Sequence, residues 1–239
     1  MAETGILMIV GFGEGGWGSA LLSAAAMTLA VAICGYLLGV VIGILAAWAK
    51  ISGGRMLRIV ADAYTTILRG IPDLLVIFLF YFGGSAMVTA IGRLFGAQGF
   101  IGFPSFLAGT IAIGICCGAQ HTEVFRGAFK AVSQGEIEAA HACGMGLWLR
   151  FRRIIAPLTF RYAIPGLGNV WQVVLKESAL VSVTGLTELL RQSQIGAGST
   201  GLPFDFFLIA GTIYLIISTL SGVLLHMAAI RSSRGLRRA

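Results

Sequence analysis

Long apolar blocks alternate along this chain with short basic segments. A transmembrane helix needs about 20 mostly apolar residues to cross about 30 Å of hydrocarbon. Residues 15–49 carry no charge and contain a first span. Residues 74–92 hold a second, with a start as early as Ile59 left open. Residues 94–122 hold a third, in the part that follows Pro104. Residues 162–187 are apolar enough for a fourth but are interrupted by Lys176-Glu177, and residues 206–230 hold the last. The expectation is an all-α integral membrane protein with five transmembrane helices in a single domain, residues 1–239.

Composition agrees with a bilayer as solvent. Of 239 residues, 57% are hydrophobic and 11% charged, where soluble domains carry roughly 25% charged residues. The excess of bases, 17 against 10 acids, would suggest nucleic acid in a soluble chain. Here the bases fall between apolar blocks and set topology, and no nucleic-acid partner is expected. Lys50, Arg55 and Arg58 lie on one side, with Arg126, Lys130, Arg150, Arg152, Arg153 and Arg161, and the tail Arg231, Arg234, Arg237 and Arg238. Only Arg93 and Arg191 fall on the other. The positive-inside rule then puts the N-terminus outside and the C-terminus in the cytoplasm. Glu3 and Glu14, with no base before Lys50, have the wrong sign for a signal-peptide n-region. The four cysteines lack C-x-x-C spacing and read as small core residues, not as a zinc site. Gly35, Gly39 and Gly43 recur every fourth residue, a seam for close backbone approach between helices.

The longest inward segment, residues 130–161, is too polar to span. Ser133 with Glu136 three residues on is a capping-box pattern, and Gly144 suits a tight helix end. A short surface helix, a glycine break and a second, basic helix are expected, forming a knob on the cytoplasmic face. By composition alone the segment reads equally well as an ordinary loop with an interfacial helix. Within it, Glu138-Ala139-Ala140 and Gly144 are followed, after nine residues, by Ile154 and Pro157. That string resembles the EAA signature of binding-protein-dependent ABC importer permeases, with Ala156 where leucine is usual. Arg69-Gly70-Ile71-Pro72-Asp73, Glu123 to Phe129, Ile164 to Asn169 and Trp171-Gln172 add to the likeness. Together they are similar to the polar amino-acid subfamily, Q-type, of the histidine, lysine/arginine/ornithine and opine importers. The resemblance runs over about residues 17–230.

The resemblance implies a type I ABC importer permease fold in the inner, cytoplasmic membrane, multi-pass. It implies that the segment 130–161 couples to a separate ATPase through Glu138, Ala139, Ala140, Gly144 and Pro157. This chain has no G-x-x-x-x-G-K-[ST] phosphate loop, so ATP-Mg belongs to the partner and no cofactor is expected here. The implied partners are two ATPase subunits, a second permease (a sister chain or a copy of this one) and a periplasmic or extracellular substrate-binding protein. Membrane lipid completes the set.

Ionisable groups in hydrocarbon are functional suspects. If a helix begins at Pro165, a rise of about 1.5 Å per residue puts Lys176 about 16 Å along, near the midplane. Lys176, Glu177, Ser178 and Ser182 read as the lining of a path for a zwitterionic or cationic amino acid. The structural alternative has Lys176 snorkelling outward and Glu177 bonding a neighbouring helix. Arg69 and Asp73, four apart around Pro72, read as a surface ion pair at a helix kink, with a gate as the second reading. Gln120, His121 and Glu123 read as hydrogen-bonding groups; an i, i+2 pair is poor metal geometry, and no metal is expected. His226 reads as an interfacial residue. A stand-alone channel or secondary transporter is the alternative function, but five spans do not divide into equal inverted halves. A membrane enzyme finds no catalytic constellation.

Overall fold

The computed structural model describes residues 11–13 and 15–233, and within them every regular element is helical. Glu3, Glu14, Arg234, Arg237 and Arg238 lie outside the described residues. In chain order the elements are α1 (Gly18–Ser52), α2 (Arg55–Gly70), α3 (Asp73–Leu94), α4 (Ser105–Lys130) and α5 (Gln134–Ala142). Then come one turn, α6 (Leu147–Arg150), a π turn (Phe151–Ile155), α7 (Ala156–Glu177) and a 3-10 segment (Ser178–Thr184). The chain ends with α8 (Leu189–Thr200) and α9 (Pro203–Ser233). α1, α3 and α9 are long and apolar enough to cross a membrane. α4 and α7 are as long as α3 or longer, at 26 and 22 residues, but more polar.

The physical reason for that difference is position. α4 is the central helix, packed against α1, α2, α3 and α7. A helix surrounded by protein keeps polar groups that a lipid-facing helix could not satisfy. α1 and α4 form the most extensive pair. A Cβ on Gly35, Gly39 or Gly43 would run into Ile113, Cys117 or His121 of α4, and Gly114 and Gly118 of α4 receive Leu38 and Ile42 in return. The expected glycine seam is therefore present, and α4 is its other side. Val31, Ala32, Ile77, Ala112, Cys116, Cys117 and Val174 form the main core beside it.

Several boundaries differ from the sequence reading. The second apolar helix does not reach back to Ile59, because α2 stops at Gly70 and α3 starts at Asp73. Pro72 lacks the amide hydrogen a continuing helix needs and holds the residue before it extended, with Ile71 at ψ 138°. The basic stretch after Gly144 is not a separate helix. Residues 147–184 run on without a break, since every junction residue is right-handed helical. Pro165 accordingly lies inside α7 and does not start it. α8, between the last two apolar blocks, has no counterpart in the expected spans.

Candidate functional site

The 130–161 segment is built by local chemistry. The Glu136 amide donates to Ser133 Oγ at 3.2 Å, and the Ser133 amide donates to Glu136 Oε2 at 3.3 Å. This is the full capping box. At the other end Gly144 sits at φ 76°. Its amide donates to the His141 carbonyl at 2.9 Å, and the Met145 amide to the Ala140 carbonyl at 3.1 Å. That pattern is a Schellman stop, which needs a residue tolerant of the left-handed region. α5 is thus a two-and-a-half-turn rod with fixed ends. Ala140 is buried, while Glu138, Ala139, Gly144 and Pro157 are exposed. Ala139 and Ala140 share one cleft of about 510 Å³ with Ile154 and Pro157. The two halves of the signature, separated by nine residues in sequence, meet there.

A second cavity, also about 510 Å³, is lined by Arg69, Asp73, Cys116, Gln120, Glu123 and Asn169 among others. Cys116, Gln120, Glu123 and Val124 line it as one stripe of α4. Asp73 and Cys116, near the middle of α4, mark one end of that stripe. There the Asp73 carboxyl faces both the Glu177 carboxyl and the Cys116 thiol. Glu177 Oε2 is occluded and has no hydrogen-bond partner. Among the described residues neither carboxyl forms an ion pair within 4 Å. Lys176, about 100° around the helix from Glu177, is exposed and makes no ion pair within 4 Å with it. Ser178 and Ser182 are buried, and the Ser178 hydroxyl donates to the Leu175 carbonyl at 2.8 Å.

Three sequence readings change here. Arg69 and Asp73 line the same cavity but are not an ion pair. An i, i+4 pair needs one continuous helix, and the break at Ile71-Pro72 removes that geometry. The depth of Glu177 cannot be counted from Pro165, since that residue lies inside α7. His121 is fully buried and its ring nitrogens make no hydrogen bonds; the ring packs edge-on to Tyr36 at 4.7 Å instead.

Two polar networks were not legible in the sequence. At one end of the bundle, Lys50 Nζ reaches Thr65 Oγ1 at 2.6 Å, Glu123 Oε1 at 2.8 Å and Asp62 Oδ1 at 2.9 Å. Arg126 holds the other Glu123 oxygen at 2.6 Å. α1, α2 and α4 are pinned together at the mouth of the cavity. At the other end Glu188 is fully buried and caps α8. It accepts from the amides of Leu190 (2.9 Å) and Arg191 (2.8 Å), from Tyr214 Oη (3.1 Å) and from Thr28 Oγ1 (3.4 Å). A glutamate ahead of Leu189-Leu190 is a faint helix-start signal; its partners on α1 and α9 are not in the local sequence.

A bundle of long apolar helices around a polar cavity, with a rigid helical knob at one end, defines a membrane transport subunit. Residues 39–234 match the family of binding-protein-dependent transport system inner membrane components, and the chain belongs to that family. It is 54% identical to the octopine transport system permease protein OccQ of Rhizobium meliloti, over 98% of this chain and 99% of that one. It is 41% identical to the histidine/lysine/arginine/ornithine transport system permease protein HisQ of Escherichia coli, over 94% and 98%. In three dimensions it is similar to a crystal structure of an amino acid ABC transporter with histidines, with TM-score 0.77, 32% identity and coverage of 90% and 95%.

Proposed function

We propose that this chain is the membrane-spanning half of an ATP-driven importer for amino acids or opines with cationic side chains. α1, α3, α4, α7 and α9 cross the inner membrane, with the N-terminus outside and the C-terminus in the cytoplasm. Residues 130–161 dock on a separate ATPase, which closes on ATP-Mg and moves the helices through α5 and the helix that follows it. Two ATPase subunits, a second permease and an external substrate-binding protein complete the assembly.

The observation that carries the cationic preference is the meeting of Asp73 and Glu177 beside the cavity, neither of them in an ion pair within 4 Å among the described residues. A carboxylate at the bilayer centre costs about 2.5–3.5 kcal/mol on insertion scales. A guanidinium or imidazolium from the substrate offsets that cost, and a neutral side chain does not. The relatives named for histidine, lysine, arginine, ornithine and octopine fit this reading.

Glu177→Gln in the assembled importer, reconstituted in vesicles, tests it. A charge-assisted hydrogen bond contributes about 1.5–3 kcal/mol, so arginine uptake is expected to fall about ten- to hundredfold. Glutamine uptake should change little, and capture by the external binding protein not at all. Equal loss for arginine, histidine and glutamine would return Glu177 to a packing role.

A further inference from the structure

An apolar groove of about 850 Å³ runs between the second half of α1, the end of α4 and the 147–160 stretch. Its walls stay open: Trp48 is 60% and Trp148 72% exposed, with Leu45 and Phe160 alongside. The π turn at Phe151–Ile155 lies in the same wall, and such turns widen a helix locally. Trp48 and Trp148 are the residue type that gathers where hydrocarbon meets headgroups.

The groove also contains two unmet polar atoms. Arg150 Nε and Thr159 Oγ1 are both occluded and have no hydrogen-bond partner, and both residues line it. No aspartate or glutamate does. A guanidinium brings five donors and no acceptor, and among the described residues Arg150 has no carboxylate within 4 Å. A phosphodiester offers paired oxygens that fit the guanidinium fork. A fatty acyl chain fits the apolar walls on the same side.

We propose that this groove binds one anionic phospholipid of the cytoplasmic leaflet, acyl chain along Leu45 and Phe160, phosphate on Arg150. Basic pockets between helices on the cytoplasmic side suit such headgroups. One wall of the site belongs to the 130–161 segment itself, and none of its lining residues is shared with the cavity at Asp73. It is separate from the substrate reading and stands or falls without it.

The test uses the intact importer with its partner subunits, delipidated in detergent and titrated with phosphatidylglycerol or phosphatidylcholine of identical chains. Native mass spectrometry reads the bound lipid. One basic residue near a membrane surface is worth about fivefold in binding. The importer is expected to prefer phosphatidylglycerol by at least that factor. Arg150→Gln should abolish the preference while leaving weak binding of both lipids, and Arg150→Lys should keep most of it. A photo-crosslinker placed by Trp148→benzoylphenylalanine should form lipid adducts in the membrane. An unchanged preference in Arg150→Gln overturns the proposal. So does a crosslink from position 148 to the second permease or the ATPase, which would show the groove to be a subunit interface.

Discussion

Gly39 offers a direct measure of what holds α1 to α4. A methyl at this position would overlap Cys117 Sγ and lie 3.0 Å from the Gly114 carbonyl oxygen and 3.1 Å from the Gly118 amide nitrogen. The sulfur could be displaced, but the two backbone atoms belong to a helix and cannot give way separately. Overpacking a close-fitted site costs about 1–3 kcal/mol. Replacing glycine by alanine inside a helix returns about 0.5–1 kcal/mol. Gly39→Ala should therefore destabilise by about 1–2 kcal/mol. Gly211→Ala, where nothing lies within 4 Å, should be neutral or slightly stabilising. The double variant Gly39→Ala/Cys117→Ala removes the sulfur and leaves the backbone contacts, so it should recover part of the loss and not all. Thermal unfolding of the solubilised protein, followed by the fluorescence of Trp171 and its neighbours, reads all three. Equal stability of the Gly39 and Gly211 variants would refute the idea that bare backbone contact holds this seam.

Gly144→Asp puts a side chain at φ 76°, where a left-handed residue other than glycine costs about 1–2 kcal/mol; the expected outcome is a loosened end of α5, loss of ATPase co-purification and normal membrane insertion. Retention of the ATPase at wild-type level would count against the coupling role. Glu188→Ala removes the acceptor for two amides and two hydroxyls, and should lower stability by about 2–3 kcal/mol, the cost of leaving buried donors unmet. Glu188→Gln keeps one oxygen and should lose less, with thermal unfolding ranking the pair.

Features that depend on a few neighbouring residues were open to reading from the sequence. Charge-free blocks located α1, α3, α4 and α9 to within several residues, because hydrocarbon tolerates few charges anywhere along a helix. The Ser133/Glu136 box and the Gly144 stop bond within one turn, so residue type and spacing suffice to identify them. The four-residue glycine period marked one face of α1 but carried no sign that α4 was its partner. Arg69 and Asp73 show the limit of local rules: spacing of four matters only inside one helix, and Pro72 ends it. Lys50 with Glu123, Glu188 with Tyr214, and Asp73 with Glu177 join residues far apart in the chain. Their contacts are set by helix rotation and axial register, which depend on the simultaneous packing of all side chains in the core. Ala139 and Ala140 meet Pro157 for the same reason: the chain between them folds back at Gly144. The sequence by itself determined where the long apolar helices run and where α5 begins and ends. Only the tertiary structure decided which polar groups face one another, because a buried charge is stabilised by whatever the packing brings within reach.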